Sequence, residues 1–81
     1  MKTKLSGVRR IDITGDFIRL DALLKYASVV STGGEAKALI HGGSIYIDND
    51  PCFMRGKKIK PGEVVRCKGA ILLVRQRITN S

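Results

Sequence analysis

Residues 19–49 read RLDALLKYASVVSTGGEAKALIHGGSIYIDN, and this stretch decides the fold. In its first part, Leu20, Leu23, Leu24 and Ala27 recur at the i, i+3, i+4 and i+7 spacing of an amphipathic helix. We therefore predict a first helix from about residue 19, with its apolar face turned towards the core.

A second helix follows after a short turn. Thr32 with Glu35 three residues later has the spacing of a capping box, in which each side chain bonds the other residue's backbone N–H. Ala36, Leu39 and Ile40 form an apolar stripe, and Gly42-Gly43 is a typical helix end. The short connection predicts that the two helices pack against each other.

The remaining apolar residues alternate with polar ones, which is typical of strands with one buried face. We expect strands at residues 8–14, 45–47, 63–67 and 70–74, and a further strand that begins at residues 52–54. Asp48 and Asn49 tolerate the positive φ of a tight turn. The predicted fold is α+β, with two packed helices against a small, mostly antiparallel sheet. It is one domain, residues 1–81, ordered over 8–75 with loose termini at 1–7 and 76–81.

Composition points to an anionic partner. The 81 residues contain 15 Lys and Arg against 7 Asp and Glu, a formal net charge of +8. So basic a small domain binds polyanions such as nucleic acid. Its sequence has no apolar run long enough to span a bilayer and no signal-like N-terminal stretch. We expect a cytoplasmic monomer that does not bind membranes.

Six basic residues are the candidate phosphate-binding set, because phosphate recognition needs cations on a rigid support. They are Arg19, Lys37, Arg55, Lys57, Lys58 and Lys60. Residues 55–60, RGKKIK, contain no acid, so binding is favoured over a merely solvated loop. We interpret Asp21 and Lys25, at i and i+4, as a stabilising pair on the first helix.

Two further features leave alternatives open. Thr32-Gly33-Gly34 at a helix start is either an anion site for backbone N–H groups or only a tight turn. Either aromatic residue beside the 48–51 turn is a candidate for stacking on a base. Of the two, Tyr46 is expected to be exposed and Phe53 to lie in the core.

No catalytic or metal site emerges from the sequence. His41, Cys52 and Cys67 are too few and too scattered for the four ligands of a structural zinc site. We expect free thiols and no cofactor. A small enzyme that uses Cys52 or Cys67 is the least favoured of three hypotheses for the function.

Four segments, taken in order, resemble the S4-type RNA-binding domain, also called the alpha-L motif. They are RLD at 19–21, EAKALI at 35–40, GSIYIDN at 43–49 and KPGEVV at 60–65. The resemblance covers about residues 17–74 and is closest to short, stand-alone bacterial members. It implies two helices on a mostly antiparallel sheet, with RNA bound along the helix pair and a nearby loop. The family's basic positions correspond to Arg19, Lys37, Arg55, Lys57 and Lys58.

This sequence departs from the family pattern at two places. Many members carry arginine directly after the Ser or Thr that opens the second helix, where this chain has Gly33. The usual Val-Asn-Gly turn is Ile47-Asp48-Asn49 here. The first departure removes one expected phosphate contact.

The leading hypothesis is a non-enzymatic protein that grips structured RNA, either ribosomal or transfer RNA, mainly through phosphates. The alternative is an adaptor whose basic face binds an acidic protein or a ribosome-associated complex. An anionic membrane is the weakest reading, because the apolar stripes of the short helices are needed for the core.

Overall fold

A computed structural model describes residues 7–67 and 69–77. In chain order, the elements are β1 (Gly7–Ile13), β2 (Ile18–Arg19), α1 (Leu20–Tyr26), α2 (Gly33–His41), β3 (Ile45–Ile47), β4 (Asp50–Pro51), β5 (Lys58–Ile59), β6 (Val64–Cys67) and β7 (Ala70–Gln76). The predicted α+β class is confirmed.

The larger sheet has five strands in the order β1-β7-β6-β3-β4, and β2 and β5 form a second, two-stranded sheet. Among the described residues only β1 and β7 run parallel, so the sheet is mostly antiparallel, as predicted. This parallel pairing lengthens the last strand beyond the prediction, because Asp12 pairs with Arg75 and Ile13 with Gln76. Placing Gln76 in a loose terminus was therefore wrong, and so was placing Gly7 there. The rest of the termini, residues 1–6 and 78–81, lie outside the described residues.

The core lies between the helices and one face of the larger sheet. Strand residues alternate, so that Ile45, Ile47, Val65 and Cys67 are buried while Tyr46 between the first two is exposed. The helices contribute Leu20, Leu23, Leu24, Ala27, Ala36 and Ile40, all at most 1% exposed. Each buried Leu, Ile or Val side chain contributes about 1.5–3 kcal/mol of transfer free energy. The predicted apolar stripes are thus the packing faces of both helices.

Both ends of the second helix follow the predicted chemistry. The capping box of Thr32 and Glu35 is formed, and Gly43 has a φ of +83° directly after the C-cap residue Gly42. The end of α1 had no predicted stop signal. There Ser28 adopts a φ of +61°, and the N–H of Val29 donates to the carbonyl of Leu24 at 2.9 Å. The turn between the helices is therefore set by a left-handed serine.

The segment after β3 differs from the prediction. Asp48 and Asn49 have φ values of 50° and 74°, and they join β3 to β4 as a two-residue hairpin turn. The expected strand at residues 52–54 is wrong, since β4 ends at Pro51, which cannot donate to a strand ladder. Beyond it Phe53 is 55% exposed, so its predicted core position is also wrong.

Neither α1 nor α2, the helices of the described ranges, is long and apolar enough to cross a membrane.

Candidate nucleic-acid interface

The basic loop is tied to the start of α1 by backbone hydrogen bonds. The N–H of Leu20 donates to the carbonyl of Lys57 at 2.8 Å, and the N–H of Asp21 donates to that of Arg55 at 3.0 Å. The first N–H groups of a helix have no partner within the helix. Since the N-cap residue Arg19 provides no side-chain cap, the loop carbonyls take that role. The backbone of this loop is thereby fixed relative to the helix.

Arg19 lies directly opposite Lys58 in the β2–β5 pair. Its guanidinium extends over Gly56, where a Cβ would lie 3.6 Å from Nη2. The same Nη2 donates to Oδ2 of Asp21 at 3.2 Å. We call Arg19 together with residues 55–58 the basic strip. Its members come from two segments that only the fold brings together.

The basic strip borders a hollow between the two helices. This hollow has a volume of about 260 Å³ and is lined by Arg19, Asp21, Ala22, Lys25 and Gly33. The predicted Asp21–Lys25 pair is wrong, because Asp21 pairs with Arg19 instead. Within residues 7–67 and 69–77, Lys25 makes no ion pair. Lys25 is therefore a site candidate that the sequence analysis missed, since its i, i+4 spacing from Asp21 was interpreted as pairing.

Lys37 belongs to the same side of the molecule. It follows Gly33 by four residues on α2, so the two positions lie on one face of that helix, one turn apart. Lys37 is exposed. A Cβ placed on Gly33 would meet nothing within 4 Å, so the start of α2 is open to an approaching backbone.

The helix start at residues 32–34 already holds an anion. Oε1 of Glu35 accepts from the N–H of Ser31 at 2.6 Å and from the N–H of Thr32 at 3.3 Å. The N–H of Glu35 donates to Oγ1 of Thr32 at 3.1 Å. The carboxylate offsets part of the positive end of the helix dipole. The geometry therefore assigns this end of α2 a capping role.

Lys57 and Lys60 have acidic neighbours. Lys57 lines a hollow of about 420 Å³ that also contains Asp48, Asp50 and Glu63. The N–H of Lys60 donates to Oε1 of Glu63 at 2.7 Å, across a turn in which Gly62 has a φ of +99°. A phosphate near either lysine meets a partly compensated charge. The cations of the candidate interface with the least compensated charge are therefore Lys25, Lys37, Arg55 and Lys58, whereas Arg19 shares its charge with Asp21.

Carboxylates in the described part of the chain mostly serve the fold. Besides Glu35 and Glu63, Asp48 accepts from the N–H of Val64 at 3.0 Å. The ion pairs of the described residues are Arg10–Asp12 and Arg19–Asp21. Most lysines and arginines are therefore uncompensated at short range, and they produce a positive field that attracts polyanions.

The cysteines and the histidine do not assemble into a site. In residues 7–67 and 69–77 there is no group of three or more His, Cys, Asp and Glu side chains able to hold a metal ion. Cys67 is buried, and burial raises the pKa of its thiol although the charge of Arg9 acts in the opposite direction. Cys52 is half-buried, and its Sγ lies 3.7 Å from the carbonyl oxygen of Met54.

Comparisons with known proteins agree with this geometry. A family model described as "S4 domain" matches residues 11–75, which include both helices, the hollow and the basic strip. The "Probable ribosome maturation protein RlbA" of Bacillus subtilis (strain 168) is 34% identical to this chain over 59 residues. That alignment covers 73% of this chain and 83% of the relative.

Proposed function

Because this chain belongs to the S4 domain family, as its ordered motifs predicted, we propose that it is a non-enzymatic, single-domain protein that binds structured RNA. The relative's name, a ribosome maturation protein, favours ribosomal RNA over transfer RNA as the ligand. On this proposal it acts as a cytoplasmic monomer, without a cofactor, and its helix pair with the attached loop is an alpha-L motif.

One observation carries the proposal: the basic loop caps α1 through its own backbone. The bonds from Leu20 to Lys57 and from Asp21 to Arg55 hold the loop backbone at a fixed position beside the helix. A loop whose backbone is already ordered loses less entropy when its cations bind a phosphate backbone. A solvated loop that served only solubility would have no need of this support.

Each basic residue of the candidate interface has a role that follows from the chemistry of its side chain. Arg19 and Arg55 offer planar forks for two phosphate oxygens, and Lys25, Lys37 and Lys58 act as point charges. The open backbone at Gly33 admits the RNA close to the hollow between the helices. An A-form helix hides its base edges in a deep groove, so shape and phosphate spacing carry the recognition.

The test compares two triple variants that remove the same charge. The first, Lys37→Gln/Arg55→Gln/Lys58→Gln, neutralises the candidate interface. The control, Arg9→Gln/Arg66→Gln/Arg75→Gln, neutralises three exposed arginines of β1, β6 and β7 that belong neither to the basic strip nor to the hollow between the helices. Binding to a ribosomal RNA hairpin is measured over a range of salt concentrations.

Each lost phosphate contact lowers the slope of log K against log salt by about 0.7–0.9, so the first variant should lose about 2–2.7 from its slope. The control variant should keep nearly the wild-type slope. Equal losses in both variants would show that the charge acts non-specifically, and the RNA interface proposed here would then be rejected.

A second candidate function is an adaptor for an acidic protein. It is favoured by Phe53 and Met54, which are 55% and 66% exposed next to the basic strip. Association with ribosomal particles that survives complete nuclease digestion supports the adaptor. Association that is lost on digestion supports RNA binding.

A further inference from the structure

Two exposed aromatic side chains lie on α1 and just before it. Phe17 is 43% exposed and Tyr26 is 62% exposed. Both line a hollow of about 380 Å³ between the end of β1 and α1, and its other residues include the small Gly15 and Ala22. This volume is within the range of sites that take small organic groups. Neither aromatic residue was a candidate in the sequence analysis.

Both rings are held by specific contacts. The hydroxyl of Tyr26 donates to the main-chain carbonyl of Asp12 at 3.2 Å, which restrains that side chain across the hollow. The ammonium of Lys58 lies 4.9 Å from the centre of the Phe17 ring, a cation–π distance. An aromatic ring restrained in this way loses little side-chain entropy when a ligand stacks on it.

Phe17 connects the hollow to the basic strip. Lys58, whose ammonium lies over Phe17, pairs through its backbone with Arg19, and Phe17 precedes Arg19 by two residues. Lys58 therefore contacts the Phe17 ring and is also a member of the basic strip, along which we propose that the phosphates lie. Along an RNA strand, a base lies beside each phosphate. The Phe17 ring and the Lys58 ammonium offer a matching pair, a flat ring for the base and a cation for the phosphate.

The other exposed aromatic residues are less suited to a base. Phe53 lines the hollow that contains Asp48, Asp50 and Glu63, and these carboxylates repel phosphates. The Tyr46 ring also has a cation beside it, Arg66 at 5.8 Å from the ring centre, but Arg66 is not a member of the basic strip. The Phe17 hollow does contain one carboxylate, that of Asp12.

The Asp12 carboxylate is paired with a neighbouring arginine. Its Oδ1 accepts from Nε of Arg10 at 2.9 Å, and Arg77 lines the same hollow. With Lys58 over Phe17, these cations offset the carboxylates of Asp12 and of the neighbouring Asp16, so the hollow does not repel a nucleic-acid ligand.

We propose that Phe17 and Tyr26 form a stacking site for an unpaired base of the RNA whose phosphates lie on the basic strip. This proposal rests on the proposed function and adds a ligand feature to it: the preferred RNA is a stem with unpaired nucleotides beside it. Stacking requires only the flat face of a base, so the site accepts any base, with the larger purines favoured.

The experiment uses three RNA probes that share one stem. The first is a blunt hairpin, the second carries a single-stranded tail of adenosines, and the third carries a tail of the same length made of abasic nucleotides. The second and third probes have equal numbers of phosphates, so their affinity ratio isolates the bases. Wild-type protein should bind the adenosine tail about 5- to 150-fold more tightly than the abasic tail, the equivalent of about 1–3 kcal/mol per stacked base.

Phe17→Leu should lose most of this ratio while it binds the blunt hairpin like wild type. Phe53→Leu is the matched control, an equal change at another exposed phenylalanine, and should keep the ratio. Phe17→Trp should also keep it. Because the chain has no tryptophan, the emission of this variant reports on the site alone, and it should be quenched by the adenosine tail and not by the abasic one.

Each result decides one of the two proposals. If wild type binds both tails equally, or if Phe17→Leu keeps the wild-type ratio, the stacking site is wrong, while binding of the blunt hairpin still supports the proposed function. If the adenosine preference persists but the blunt hairpin is not bound, the stacking site stands and stem recognition fails. If none of the three probes is bound, both proposals are rejected.

Discussion

The main-chain N–H of Leu20 donates a hydrogen bond of 2.8 Å to the carbonyl oxygen of Lys57. Leu20 is fully buried and Lys57 is exposed. The bond therefore joins the first core residue of α1 to the loop that carries the cations. Stability and recognition are coupled here, because the loop that supplies charge also satisfies the start of the helix.

The capping box of α2 provides the first prediction. Thr32→Ala removes the oxygen that accepts from the N–H of Glu35 at 3.1 Å, and it should lower the free energy of unfolding by about 1 kcal/mol. Ser31→Ala is the control, because the contact of Ser31 with Glu35 uses the backbone N–H, which alanine retains. Urea unfolding of both variants measures the difference. A similar loss of unfolding free energy in the two variants would contradict the capping box of Thr32 and Glu35.

The second prediction concerns the turn that joins β3 and β4. Asn49 has a φ of 74°, and its side chain accepts a hydrogen bond from Arg66 at 3.2 Å. Asn49→Ala and Asn49→Gly both remove that bond, so their difference in unfolding free energy reports the backbone alone. The glycine variant should be more stable by about 1 kcal/mol, because a Cβ is strained in the left-handed region. Equal stability in thermal unfolding would contradict the turn geometry.

Local patterns predicted what depends on neighbouring residues in the sequence. The helix stripes, the capping box and the Gly43 helix end all arise within a few residues, and each is present in the structure. The parallel pairing of β1 with β7 joins the two ends of the chain. No local pattern marks such a pairing, and so Gln76 was placed in a loose terminus.

The candidate site was predictable in composition but not in arrangement. Charge clustering at residues 55–60 pointed to the loop, yet the sequence did not reveal that its carbonyls cap α1. Lys25 was missed because Asp21 turns to Arg19, whose extended N-cap backbone places the guanidinium within reach. The aromatic pair of Phe17 and Tyr26 was missed because their spacing follows neither strand nor helix period, and only the β1–α1 packing brings them to one hollow.

The third prediction concerns the two thiols. Cys52 is half-buried and Cys67 is buried, and burial raises the pKa of the Cys67 thiol. Less thiolate exists at Cys67 at any given pH, so iodoacetamide should modify Cys52 well before Cys67 in the folded protein. Mass spectrometry of the partly labelled chain measures the order. Equal rates at the two sites would contradict the burial of Cys67.

The same raised pKa predicts the sign of a pH dependence. The folded state holds the Cys67 proton more tightly than the unfolded state, so this stabilisation is complete below the unfolded thiol pKa of about 8.5. It is lost as the pH rises from there through the folded pKa. Cys67→Val lacks this proton, so wild type should lose stability relative to the variant over that alkaline range. If the difference in unfolding free energy between wild type and Cys67→Val is the same at pH 7 and pH 10, the raised pKa of Cys67 is contradicted.

The fourth prediction concerns position 33, where many family members carry arginine and this chain has glycine. Gly33 lines the hollow with Arg19 and Lys25, and a Cβ placed there would meet nothing within 4 Å. The Cβ of an arginine at position 33 therefore meets no neighbour. Because it adds one phosphate contact, Gly33→Arg should bind the hairpin stem more tightly and steepen the slope of log K against log salt by about 0.7–0.9.

The control for this variant separates position from charge. Ser44→Arg adds the same charge at an exposed residue between Gly43 and β3, away from the hollow that Gly33 lines. It should raise affinity less and leave the slope close to that of wild type. If Gly33→Arg binds no more tightly than Ser44→Arg, the RNA does not pass the start of α2. The hollow between the helices would then be excluded from the interface, and the basic strip alone would carry the binding.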